Sequence, residues 1–241
     1  WGKQNVNIRG SNANEVAVYL DGVKLNSSLD GIANLAFIDM SALEDIEVIK
    51  GGNSILFGPG NFGGVILLNS KLTKKNSIKV NHTFGITDNS DHDLGGMLSL
   101  NVGATTFGVN YSAKSRMYDG RTMQTSLYSN NALNIDFSSF NVIARRLNVE
   151  NSIIYPSGIS LSADNMLVDR FDIKIRSPLI GNWYAHGGKK NWRWKDNFFS
   201  NIKRDIKDYS TSIKIGKEIV FNKLSGKFHY EMESDMYQSI Q

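Results

Sequence analysis

Apolar and polar positions alternate with period two over most of the chain beyond residue 76. Phe107, Val109, Tyr111 and Ala113 alternate with Thr106, Gly108, Asn110, Ser112 and Lys114. Leu224, Phe228, Tyr230 and Met232 share a face with Gly226, while Ser225, Lys227, His229, Glu231 and Glu233 take the other. Tyr209, Thr211, Ile213 and Ile215 oppose Ser210, Ser212 and Lys214, and Phe171, Ile173 and Ile175 oppose Asp172, Lys174 and Arg176. Ile78, Val80 and Phe84 oppose Lys79, Asn81 and Thr83, with His82 on the apolar side. Successive strand residues point to opposite faces, so each segment predicts a strand with two chemically different sides. Helical periodicity is absent throughout.

The first 72 residues read differently, as a small mixed α/β unit. Val16, Val18 and Leu20 lead into Asp21-Gly22 and then Val23-Lys24-Leu25, which predicts a hairpin, because a type I′ turn needs positive φ at both central residues. Ser41-Ala42-Leu43-Glu44 fits a capping box and predicts about one helical turn, followed by a strand at Ile46-Glu47-Val48-Ile49 that Gly51-Gly52 ends. Asn53 or Ser54 caps a further short turn at Ile55-Leu56-Phe57. Gly58-Pro59-Gly60-Asn61-Phe62-Gly63-Gly64 contains the string G-x-G-x-x-G. A dinucleotide fingerprint needs a helix to open there and an acidic residue some 20 positions on. Val65-Ile66-Leu67-Leu68 reads as strand instead, and the next acidic residue is Asp88. The glycines therefore predict a tight turn where backbone segments cross closely.

Composition sharpens the division. The 241 residues include no cysteine, which excludes a disulfide framework, a thiol nucleophile and thiolate metal sites. No apolar run approaches the length of a membrane-spanning helix, a test that barrels escape. Residues 1–72 carry a net charge of −2 and 5 aromatic residues, whereas residues 73–241 carry +6 and 20. The polar stretch Ser70–Ser77 is the predicted joint. The chain opens Trp1-Gly2-Lys3-Gln4, without initiator Met or signal-peptide pattern, and so reads as a processed or cut end.

Four blocks of the first region stand in a familiar order. Val6-Asn7-Ile8-Arg9-Gly10, Val18-Tyr19-Leu20-Asp21-Gly22-Val23, Ile46-Glu47-Val48-Ile49-Lys50-Gly51, and Leu56-Phe57-Gly58-Pro59-Gly60-Asn61-Phe62-Gly63-Gly64-Val65-Ile66 together resemble the plug domain of TonB-dependent outer-membrane receptors. The resemblance implies a mainly β protein: a plug over residues 1–72 lacking its N-terminal part, then the first strands of a transmembrane barrel over 73–241. The segment with the TonB box, which grips the energy-transducing partner, is expected outside this chain. Arg9 and Lys50 match plug positions that commonly face carboxylates on the barrel wall. Lysine at the second offers a point charge where arginine would offer a bidentate fork. Asp21 and Glu47 are expected to hold plug strands and turn in place. Gly10, Gly22, Gly51, Gly58, Gly60, Gly63 and Gly64 complete the motif residues.

The implied function is active import of a scarce nutrient across the outer membrane, a ferric siderophore being the commonest cargo, with haem, cobalamin or oligosaccharide as others. The implied partners are a TonB-type protein, outer-membrane lipid and lipopolysaccharide. No catalytic residue, resident cofactor or metal is expected: the four histidines show no metal-ligand spacing. At about ten residues per strand plus six to eight per connection, residues 73–241 hold roughly ten strands. Members of this family close 22, so the chain is expected to be a fragment, an independent small barrel being too narrow for a plug. Trp183-Tyr184, Trp192, Trp194 and Phe198-Phe199 suit an interfacial girdle. Lys189-Lys190-Asn191-Trp192-Arg193-Trp194-Lys195 reads as a strand end near anionic headgroups, with no nucleic-acid partner expected. Residues 115–132, with Asp119-Gly120 and Asn130-Asn131, are expected to form an extracellular loop. A passive barrel or adhesin retaining a plug-like segment is the alternative; a soluble nucleotide-binding enzyme is the remote one.

Overall fold

The computed structural model describes residues 4–35, 38–50, 57, 61–71, 75–85, 91–118, 121–154, 161–177, 181–198, 202–221 and 224–240. Two sheets carry the chain. The first combines β1 (Val16–Leu20), β2 (Val23–Lys24), β3 (Leu43–Ile49) and β4 (Gly64–Ser70) in the order β2-β1-β4-β3. β1 runs parallel to β4, while the other neighbours are antiparallel. β1 and β4 are buried along nearly their whole length, as their unbroken apolar runs require of a strand covered on both faces.

Turn chemistry sets the plug geometry. Asp21 and Gly22 adopt φ of 51° and 84°, the left-handed pair that joins β1 to β2 tightly. At the glycine cluster, Gly64 has φ of 137° and a Cβ there would stand 2.8 Å from the Ile49 carbonyl oxygen. A Cβ on Gly63 would overlap the Ser11 side chain. Here the chain enters β4, a strand, as the sequence predicts, and no helix opens to receive a pyrophosphate. The turn expected at 41–44 is placed differently. A 3₁₀ turn covers Met40–Ala42, Asp39 caps it by accepting from the Ser41 N–H and hydroxyl at 3.2 and 2.9 Å, and Leu43 and Glu44 already belong to β3. Pairing with β4 outcompetes one more turn of helix.

The second sheet is an antiparallel meander of nine strands. It comprises β5 (Ser77–Phe84), β6 (Asp91–Val102), β7 (Thr105–Tyr118), β8 (Arg121–Asp136), β9 (Phe140–Ile154), β10 (Leu161–Ser177), β11 (Gly181–Phe198), β12 (Ile202–Phe221) and β13 (Leu224–Ile240), each paired with the next in sequence. Strands lengthen from 8 residues in β5 to 20 in β12, beyond the 9–11 or so that cross a bilayer. That excess corrects the loop expected at 115–132. β7 and β8 continue into it, with Ser115 opposite Thr125 and Lys114 opposite Ser126 and a register shift between Arg116 and Met117.

Outward positions of β10–β12 include Phe171, Ile175, Trp183, Ile213 and Ile215, all exposed. This apolar belt ends at one level, where Arg146, Asp169 and Lys189 are register neighbours across β9, β10 and β11. The inward face is not uniformly polar. Tyr128, Leu147, Val149, Met166 and Val168 are buried and join the plug's Val16, Val18, Leu20, Val23, Leu25 and Ile66 in a single cluster. The main core is therefore the seam between plug and wall.

Candidate functional site

Three polar ties cross this seam. The first centres on Asp21, whose position in the turn aims its carboxylate at the wall. It accepts the Ser70 N–H at 2.9 Å, which ties the hairpin turn to the end of β4. Arg145 of β9 reaches both of its oxygens at 3.3 Å and also donates to the Ser70 carbonyl at 2.8 Å. Arg170 of β10 lies 3.3 Å away on the other side and pairs with Asp172 at 2.5 Å. His186 of β11 completes the group, its Nδ1 2.5 Å from Asp172 and its ring against Gly22. Alternation along β10 places Arg170 and Asp172 on one lumenal row. Burying one carboxylate between two guanidinium groups is tolerable because each oxygen finds a donor.

The second tie lies further along β11 and β12. Lys190 and Asp208 are 1% and 0% exposed and 3.2 Å apart. Lys190 donates to the Asn26 carbonyl at 2.5 Å, while Asp208 accepts the Ser28 N–H at 3.1 Å and its hydroxyl at 2.8 Å. Asn26 in turn fastens this loop to β1, accepting from the Val18 N–H and donating to the carbonyls of Val16 and Gly31. A cavity of about 20 Å³, lined by Leu25, Ser27, Asn34, Met166, Trp192 and the charged pair, adjoins it. The third tie joins Asp39 to Lys114 of β7 at 3.2 Å. Burial pushes the Asp39 carboxyl up, but Lys114 and the Ser41 hydroxyl outweigh it and hold the group below its ordinary value of 3.8.

The residues expected from sequence fall in distinct places. Asp21 and Gly22 stand at the centre of the first tie. Arg9, with φ of 51°, Gly10 and Lys50 are exposed, as is Glu47 on β3. The Asp21 and Asp39 ties run from plug carboxylates to wall cations, the opposite sense from that expected of Arg9 and Lys50. Gly63 and Gly64 form the crossing described above, and Gly51, Gly58 and Gly60 lie outside the described residues. The basic-aromatic run divides between faces: Lys190 is buried against the plug, whereas Lys189, Arg193 and Lys195 are exposed. Trp192 packs against the plug core, which removes it from the expected girdle; Trp183, beneath the Lys217 ammonium at 5.0 Å, faces outward. Among the described residues, no group of three or more acidic or histidine side chains is arranged to hold a metal. No helix among the described residues is long and apolar enough to cross a membrane.

Arg145, Arg170, His186, Lys190 and Asp208 escape sequence reasoning. Lumenal alternation marks such residues as inward-facing, yet partners 124 and 180 positions away leave no local signal. One clue was readable: Met166-Leu167-Val168 breaks the alternation, placing apolar side chains on the lumenal face where the plug covers them.

Residues 1–65 match the TonB-dependent receptor plug domain family. Heme/hemopexin utilization protein C of Haemophilus influenzae is 39% identical over 83 residues, 34% of this chain and 11% of that protein. Vitamin B12 transporter BtuB of Vibrio vulnificus is 41% identical over 59 residues, 24% of this chain and 10% of that one. In fold, the chain resembles the ferric enterobactin receptor PfeA of Pseudomonas aeruginosa with a TM-score of 0.76 at 11% identity, covering 96% of this chain and 43% of that one. The unliganded ferric citrate transporter FecA gives 0.69 at 10% identity, covering 99% and 42%. The chain thus spans less than half of these structures. Residues 1–65 are thus the plug domain of the TonB-dependent receptors, outer-membrane β-barrel proteins of Gram-negative bacteria, and the second sheet continues the fold of the plugged barrels in these structures.

Proposed function

We propose that this chain is the plug, residues 1–72, and the first barrel strands, residues 73–241, of an importer that moves a scarce metal chelate across the outer membrane. A ferric siderophore is the first cargo to test. The observation that carries the reading is the seam itself: a separately folded sheet fills the lumenal side of a barrel wall and is held there by polar ties that can be broken and remade. Such a plug is a gate, and gating needs no bond chemistry. Ligand binding at the outer face shifts the plug, and a TonB-type partner, driven by the inner-membrane proton-motive force, pulls on it. Arg9 and Lys50, exposed here, are available to wall carboxylates on further strands, while outward Lys189 and Lys195 suit the phosphates of lipopolysaccharide.

A second reading, haem or cobalamin as cargo, draws on the names of the sequence relatives. Uptake of labelled ferric siderophores, haem and cobalamin into cells with and without the full-length protein decides among them. The reading expects uptake of one cargo that a protonophore abolishes. Protonophore-resistant uptake would favour a passive barrel, and nucleotide binding by a protein that needs no detergent would favour the soluble enzyme.

A further inference from the structure

We propose that the Lys190–Asp208 seat is a hydrated release seam, the place where the plug first parts from the wall. The inference rests on the plug being a gate. It follows from where the charges sit. At the Asp21 tie the carboxylate belongs to the plug and the guanidinium groups of Arg145 and Arg170 to the wall, so parting the surfaces separates opposite charges. At the seat both charges belong to the wall. The plug contributes the Asn26 carbonyl and the Ser28 N–H and hydroxyl, none of them charged.

When loop 26–28 lifts, Lys190 and Asp208 stay together and both regain water. A buried ion pair carries a desolvation penalty that its mutual attraction often fails to offset, and here lifting the loop removes that penalty while the pair stays together, its attraction weakened by water. The adjoining cavity lowers the barrier further. At about 20 Å³ it has room for one water. Lys190, Asp208 and Asn34 line it, as does Trp192, whose Nε1 is buried without a hydrogen-bond partner among the described residues. Water entering there replaces the Ser28 and Asn26 contacts one at a time, whereas the apolar seam around Val149 and Val168 offers no such stepwise exchange.

The test uses the full-length receptor in planar bilayers, with urea-induced conductance reporting plug opening and no cargo required. Replacing both charges together by neutral hydrogen-bonding side chains, Lys190→Gln with Asp208→Asn, keeps partners for Asn26 and Ser28 and removes the desolvation penalty; the urea midpoint should rise by roughly 0.5 M or more. Asp208→Leu alone leaves Lys190 buried without its counter-charge and should lower it. A double variant opening at or below the wild-type midpoint overturns the proposal. A second measurement needs no change to the wall. The chain contains no cysteine, so Ser27→Cys and Val23→Cys, both at buried positions, can be labelled singly with a maleimide as urea rises. Ser27→Cys should react at lower urea than Val23→Cys; the same or reversed order overturns the seam. A receptor that imports none of the cargoes leaves both orders intact, so the two readings fail separately.

Discussion

The two sheets solve the burial problem in opposite ways. β1 and β4 of the plug, 5 and 7 residues long, are buried on both faces. The wall strands run to 20 residues and alternate, offering outward apolar side chains to lipid. Their inner faces contain Tyr128, Val149, Met166 and Val168, which only the plug covers. A barrel that were merely a pore would line this level with polar groups. The apolar stripe shows that the wall is built to hold the plug, and the charged residues around it hold one orientation.

The comparison is broken most severely at Asp21. Asp21→Leu leaves Arg145 and Arg170 facing a buried apolar side chain, at a cost of about 3–5 kcal/mol in plug seating, measurable as a lowered urea midpoint for plug opening. Met166→Ala should cost about 2–5 kcal/mol by opening a cavity in the seam. Phe171→Ala, on the lipid-facing side of the same strand, should leave that midpoint unchanged. Gly63→Val forces the crossing against Ser11 and Val16 and should cost about 1–3 kcal/mol, reducing the heat-shifted band of assembled barrel on denaturing gels. Wild-type assembly and uptake by that variant would sink the close-crossing account.

A smaller effect belongs to Asp39. Its carboxyl is held below 3.8 by Lys114, so the tie contributes fully above that ordinary value and is lost as pH falls through the lowered one. The plug-opening midpoint should drop across that acidic window by more in wild type than in Asp39→Asn. Smallest of all, Arg193→Gln breaks an exposed outward pair with Asp205 and should leave plug seating unchanged, since such pairs on open surface contribute little.

Much of the fold was legible because its signals are local. Asp21-Gly22 announces its own turn, Gly63-Gly64 its own crossing, and period-two alternation each wall strand. The second sheet has nine strands among the described residues, close to the roughly ten expected, with most strands longer and most connections shorter than the arithmetic assumes. The polar stretch 115–132 reads as a loop in sequence because, beyond the lipid, polarity no longer separates ladder from connection. The site was less legible. Asp21 was readable as a motif residue, but its role in joining plug to wall depends on Arg145, distant in sequence and ordinary in type. Trp192 illustrates the limit: next to Arg193 and Lys195 it reads as a girdle residue, and only the pleat, which turns it inward with Lys190, decides otherwise.

The central claim is that the plug must move relative to this wall for cargo to pass. Val23 Cβ lies 3.5 Å from where a Cβ on residue 188 would stand, within the usual disulfide range. The full-length receptor carrying Val23→Cys and Gly188→Cys therefore allows plug and wall to be tethered by oxidation and freed by reduction, with uptake of the identified cargo followed in the same cells. The account predicts that oxidation abolishes uptake while surface binding persists, and that reductant restores it. Undiminished uptake by the quantitatively cross-linked receptor would contradict it.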